Sequence, residues 1–167
     1  EIQSFRSYFT NFRVPLWFIE GMAEYLSSGS HSTLTSMWMR DAVARNDVPT
    51  FSEIEKDMRY FPYRFGHAIC SYIAGKWGDN TLGTLFSTVV KKGWEAGFIY
   101  TLGMSVDSVS EAWRKETYAS YANESTNRID TALTGKTLQG SRDINLSPSI
   151  SPDGKFMTFL SARDLFT

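Results

Sequence analysis

The sequence predicts a mainly α fold, a compact helical bundle followed by a short C-terminal β-hairpin. Three observations carry this reading. Apolar residues recur every three or four positions through residues 1–133, the spacing of one helix face. The breaks between these runs are short and built from Gly, Pro, Ser and Asn-Asp, as loops joining neighbours in a bundle are. After Thr134 the helical spacing stops, and Phe156, Thr158 and Leu160 alternate with Met157, Phe159 and Ser161 at period two. The chain is therefore divided into a helical domain over 1–133, a linker over 134–145 and strands over 146–167.

The elements follow in order. Residues 1–13 carry Ile2, Phe5, Tyr8, Phe9 and Phe12 at helical spacing. Pro15 suits a first helical position, where its missing N–H costs nothing, and opens a helix over 15–28. Leu16, Ile19, Ala23 and Leu26 form its apolar row, and Gly29 stops it. A run over 33–45 has Leu34, Met37, Trp38, Ala42 and Val43 as its stripe and is broken at Asn46-Asp47-Val48-Pro49. Thr50-Phe51-Ser52-Glu53 is a capping-box pattern for a short helix ending near Met58. Pro62 opens the helix that closes at Gly78. Asp79 is read as the cap of a helix over 80–92. A short run from Trp94 ends at Gly103, and Ser105 caps a last helix with Val109, Trp113, Thr117 and Tyr121 on one stripe. Beyond Ala122 that helix turns polar. In the tail, Pro152-Asp153-Gly154 is a turn signal.

Composition narrows the function classes. A net charge of −1 with no basic stripe argues against a nucleic-acid partner. There is no apolar run of about 18 residues, so no membrane span is expected. The single cysteine, Cys70, cannot form an internal disulfide and reads as a small apolar residue of its helix. His31 reads as a loop histidine and His67 as a core or hydrogen-bonded one; neither belongs to an H-E-x-x-H pair. No phosphate-binding Gly loop and no G-x-S-x-G is present. The chain opens without methionine and ends without a stop-like tail, and so reads as a fragment.

Two carboxylates stand out. Glu20 and Glu24 are one helical turn apart and point the same way. Trp17, Phe18 and Ile19 run directly into Glu20. The pair is either two solvated charges on a helix edge or a partly covered site, in which case a cation, a hydrogen-bond network or a metal must offset the burial.

The order of elements resembles a known family. Pro15-Leu16-Trp17-Phe18-Ile19-Glu20-Gly21-Met22-Ala23-Glu24-Tyr25 is similar to the helix that follows H-E-x-x-H in gluzincin zinc metallopeptidases, where W-x-x-E-G-x-A-x-Y supplies the third zinc ligand. Pro62-Tyr63-Arg64-Phe65-Gly66 resembles the P-Y-x-x-G element of the aminopeptidase-type members. Gly103-Met104-Ser105-Val106 before Trp113 is similar to the close of bacterial peptidase-MA-like domains. The resemblance spans about residues 1–122. It implies Glu20 as a zinc ligand, Glu24 as a carboxylate holding a metal-bound histidine, and Tyr63 as the hydroxyl that stabilises the oxyanion. It also implies that the H-E-x-x-H helix, with two ligands and the general base, precedes Glu1. This chain alone is then expected to be inactive and to bind no zinc tightly, its parent acting on peptide or protein substrates. A non-catalytic, peptidase-like scaffold coupled to a ligand-binding β-propeller is the alternative.

The tail carries a second resemblance. Ser151-Pro152-Asp153-Gly154-Lys155 is similar to the turns that recur in TolB-type β-propeller blades. It implies that a propeller continues beyond Thr167. Proteins joining these two parts resemble exported bacterial ones, which implies a periplasmic or extracellular location.

Overall fold

A computed structural model describes residues 14–122 and 145–161. The described residues form seven helices and one antiparallel strand pair. The helices are α1 (Leu16–Ser28), α2 (Thr33–Ala44), α3 (Phe51–Lys56), α4 (Pro62–Trp77), α5 (Asn80–Lys92), α6 (Trp94–Leu102) and α7 (Val106–Tyr121). The strands are β1 (Asn145–Ile150) and β2 (Met157–Ser161). Two compact units divide the chain, Glu1–Arg128 and Ile129–Thr167. The helix expected over 1–13, the polar continuation beyond Ala122 and all but Asn145 of the expected linker lie outside the described residues.

Most helix ends are explained by their own residues. Thr50 makes both bonds of a capping box, accepting from Glu53 N while the Glu53 carboxylate accepts from Thr50 N. Ser32 Oγ accepts from Thr35 N and Ser105 Oγ from Ser108 N. Pro62 fills the first position of α4. Pro15 sits one residue before α1, where its carbonyl accepts from Phe18 N. After α2, Asn46 adopts φ 54°, and Asp47 N and Asn46 N bond back to the Ala42 and Val43 carbonyls. That is a Schellman closure with Asn in place of Gly. The run from Trp94 is a helix in its own right, closed by Gly103 at φ 72°.

The expected cap at Asp79 is not made. Asp79 has helical backbone angles and no capping bond. Its carboxylate instead accepts from Tyr25 Oη at 2.5 Å. A tertiary partner has taken the side chain that local sequence assigned to the helix.

Helix α4 is the middle of the helical unit, packed against α1, α2, α3 and α5. Its Phe65, Gly66, His67, Ile69, Cys70, Ile73 and Ala74 are all buried. Beside it, Trp17, Phe18, Phe51, Trp94, Phe98 and Trp113 form one aromatic cluster. Its closest ring centroids are 4.7 Å apart, for Trp17–Phe51 and Trp94–Phe98. Each fully buried ring contributes about 1.5–3 kcal/mol through lost water contact, and the tilted pairs add about 0.5–1.5 kcal/mol each.

The predicted apolar row of α1 does not face this core, and that of α2 does so only through Ala42 and Val43. On α1 the buried residues are Trp17, Phe18 and Gly21, while Leu16, Ile19 and Leu26 are exposed. On α2 they are Thr35, Met39 and Ala42, while Leu34, Met37 and Trp38 are exposed. Both helices are apolar on more than one face, and spacing alone does not say which face is turned inward. A glycine at the α1–α4 contact and a buried hydrogen bond from Thr35 decide it.

The hairpin pairs Asn145 with Ser161, Leu146 with Leu160, Ser149 with Thr158 and Ile150 with Met157. Its ladder is irregular between Leu146 and Ser149, where Ser147 takes φ 52° and Pro148 has no N–H to donate. The turn is held by Asp153, which accepts from Ser151 Oγ and Lys155 N, and by Gly154 at φ 70°. Every residue of both strands is exposed except Ser161, which is half-buried. No helix among the described residues is long and apolar enough to cross a membrane.

Candidate functional site

The candidate site is built on the crossing of α1 and α4. There the backbones touch without an intervening side chain. A Cβ on Gly21 would lie 2.6 Å from Gly66 Cα, and one on Gly66 would overlap the Trp17 carbonyl oxygen. Both positions must be free of a side chain for the helices to approach this closely. Gly21 thus serves close helix packing, and its counterpart is Gly66 of the Pro62–Gly66 element.

Three predicted site residues lie within about one turn of this contact. Glu20 precedes Gly21 directly. It is half-buried and makes no hydrogen bond or ion pair among the described residues. Glu24, one turn on, is half-buried too, and its Oε2 accepts from Arg64 Nη1 at 3.1 Å. Tyr63 stands in the first turn of α4, its ring stacked on Phe61 with centroids 5.0 Å apart. Phe61 in turn meets Trp38 at 5.6 Å. Tyr63 thus ends a partly exposed aromatic strip that runs across from α2.

Further along α4, His67 is buried and bonded at both ring nitrogens. Nε2 is 2.8 Å from the Gly29 carbonyl and Nδ1 is 2.8 Å from Thr35 Oγ1. A carbonyl only accepts, so Nε2 carries a proton, and in the neutral ring Nδ1 accepts from the Thr35 hydroxyl. His67 therefore ties the α1–α2 loop and α2 to α4, and both its nitrogens are engaged. His31 is an exposed loop residue bonded to Ser30. Cys70 is fully buried, and burial pushes its thiol well above the usual range. A thiol so held is a core residue, not a nucleophile.

Catalytic zinc is held by three protein ligands and a water. Among the described residues, no three His, Cys, Asp or Glu side chains come together to hold a metal ion. Glu20 offers one donor of the kind zinc takes.

Arg64 is the site residue that sequence reasoning missed. It stands inside the Pro62–Gly66 element, but its partner Glu24 is 40 residues away, beyond the reach of any local pattern. Comparison with protein-family models, curated proteins and solved structures finds no match.

Proposed function

We propose that the helical unit is part of a gluzincin-type zinc metallopeptidase, contributing Glu20 to a metal site whose other ligands lie outside the described residues. The observation that carries this reading is the Gly21–Gly66 contact. It seats the turn bearing Glu20 and Glu24 against the helix whose first turn holds Tyr63. A half-buried carboxylate without a partner among the described residues is the group a metal would neutralise. Arg64 fixes the Glu24 carboxylate through one oxygen, so that its other oxygen is oriented for a second donor. Tyr63 offers a phenolic O–H at the opening of α4, and the Trp38–Phe61 strip beside it is an apolar surface for peptide side chains. In this reading the hairpin is the first strand pair of a propeller blade, and its exposed Leu146, Ile150 and Leu160 await neighbouring strands. The location is then periplasmic or extracellular.

The reading requires H-E-x-x-H on a segment joined ahead of Glu1, and the presence of that segment in the natural polypeptide is the direct check. With that segment present, the polypeptide is expected to hold one zinc by elemental analysis and to cleave peptides. Glu20→Gln should lose both metal and activity, while Tyr63→Phe keeps the metal and loses turnover. Full metal and activity in Glu20→Gln would remove Glu20 from the site. One observation favours a non-catalytic scaffold instead: Glu24 is already engaged by Arg64. A degenerate motif upstream, with no bound zinc, would decide for that reading.

A further inference from the structure

A hollow of about 530 Å³ opens between α2, α4 and α7, within the size range of small-molecule sites. It is made from the Ala68, Ser71, Tyr72 and Gly75 row of α4, with Met39 and Trp113 among its buried lining residues. Three features of the lining define what it can hold.

First, most lining residues carry a hydroxyl, contributed by all three helices and by the loop before α2. Ser71 Oγ is covered and has no hydrogen-bond partner among the described residues. A buried hydroxyl left unpaired costs about 1–3 kcal/mol. Thr35 is engaged with His67, yet a hydroxyl that donates to the neutral ring keeps lone pairs to accept with. Second, the hollow has no lysine or arginine in its lining, its one imidazole, His31, is bonded through Nδ1 to Ser30, and its one carboxylate, Glu116, already has Lys76 Nζ at 3.9 Å. An anion finds no lysine or arginine in the lining, and a cation competes with Lys76 for Glu116. Third, the hydroxyls are interleaved with the half-buried aromatic rings of Tyr72 and Tyr121. Rings offer apolar faces at little conformational cost.

We infer that this hollow binds a neutral polyhydroxylated ligand, a saccharide ring, with its C–H face against the aromatic side chains and its hydroxyls exchanged with the serines and threonines. Such a ligand matches all three features: many donors and acceptors, no net charge, and an apolar face. The inference does not depend on the metal reading of Glu20, because none of the Glu20, Glu24 and Tyr63 side chains lines the hollow.

Gly75 makes the test clean. It lines the hollow, and a Cβ built on it meets nothing within 4 Å. Gly75→Trp therefore obstructs the hollow without a backbone clash. Gly83 of α5 is equally open but does not line it, so Gly83→Trp is the matched control. The 167-residue chain is titrated with glucose, N-acetylglucosamine and their β-1,4-linked disaccharides, following saturation transfer to the sugar protons. Glucuronate and glucosamine serve as anionic and cationic counterparts. Binding of at least one neutral sugar is expected, lowered by about tenfold or more in Gly75→Trp and unchanged in Gly83→Trp. Circular dichroism verifies that both variants fold. Transfer to none of the neutral sugars overturns the inference. So does binding only of glucosamine or glucuronate, or equal binding in folded Gly75→Trp.

Discussion

The α1–α4 crossing and the α5–α6 contact are both made at glycines, but they differ in what the glycine meets. At Gly66 the neighbour is backbone, the Trp17 carbonyl and Gly21 Cα. At Gly97 the first neighbour is a side chain, Val89 Cγ2 at 2.5 Å, with Val89 Cα and N at 2.8 and 2.9 Å. A side chain can be trimmed or turned; a helix backbone moves only as a whole. The first contact is therefore the more brittle, and it is the one that sets the Glu20 turn against α4.

The largest expected effect follows from that. Gly66→Ala and Gly21→Ala each force the two helices apart, at a cost of about 4 kcal/mol or more, in the exceptional range for one substitution. Denaturant melts should show the loss, with no rescue from shortening nearby side chains. A cost under about 1 kcal/mol would mean that the crossing is not this close. Gly97→Ala ranks next, at about 2–3 kcal/mol of overpacking. Val89→Ala in the same chain should recover part of it, because Cγ2 is removed and the backbone neighbours remain. Full recovery would show that the two contacts are of different kinds altogether; none would make them alike.

What was legible in the sequence follows the same division between local and tertiary causes. The Thr50 and Ser105 caps, the Gly29 and Gly103 stops and the Pro152-Asp153-Gly154 turn were readable, because each is satisfied within a few residues. The buried face of α1 was not, and that of α2 was readable only at Ala42 and Val43. Both helices carry an outward apolar row at the same spacing as the inward one, and the choice depends on Gly66 and His67, elsewhere in the chain. Asp79 failed as a cap for a similar reason, since Tyr25, 54 residues away, claims its carboxylate. Of the candidate site, motif order brings forward Glu20, Glu24 and Tyr63 as candidates, and the fold sets all three beside the Gly21–Gly66 contact. Arg64 could not, because an ion pair across two helices leaves no periodic trace.

Two such long-range bonds give the molecule an alkaline limit, smaller than the effect of a broken crossing. Tyr25 Oη donates to Asp79, and Tyr60 Oη donates to Asp47 at 2.6 Å. In each case the hydrogen bond to the carboxylate, with burial adding to it, pushes the phenol up to about 12 from its usual 10.0. The folded state thus favours the protonated phenol. That stabilisation is complete below pH 10 and is lost as pH rises from 10 through 12. Tyr25→Phe and Tyr60→Phe should each be less stable than the parent at neutral pH, by about 1–2 kcal/mol. The gap should close across the alkaline window, since the parent loses there what the variants already lack. Parallel stability curves up to pH 12 would remove these phenols from the account.

The smallest effect has the opposite sign and sharpens the contrast between closed and open glycines. Gly75 and Gly83 are also helix-interior glycines, yet a Cβ on either meets nothing within 4 Å. Nothing in the folded state asks for the missing side chain, and glycine there costs only the extra freedom of the unfolded chain. Gly75→Ala and Gly83→Ala should each stabilise the helical unit by about 0.5–1 kcal/mol. The urea midpoint should rise while the slope stays the same, because the buried surface does not change. A loss of stability at either site would mean that its surface is covered, and for Gly75 that the hollow is narrower than its volume implies. A gain at both, beside a collapse at Gly66, would show that one residue type holds two helices together at one point and merely loosens them at another.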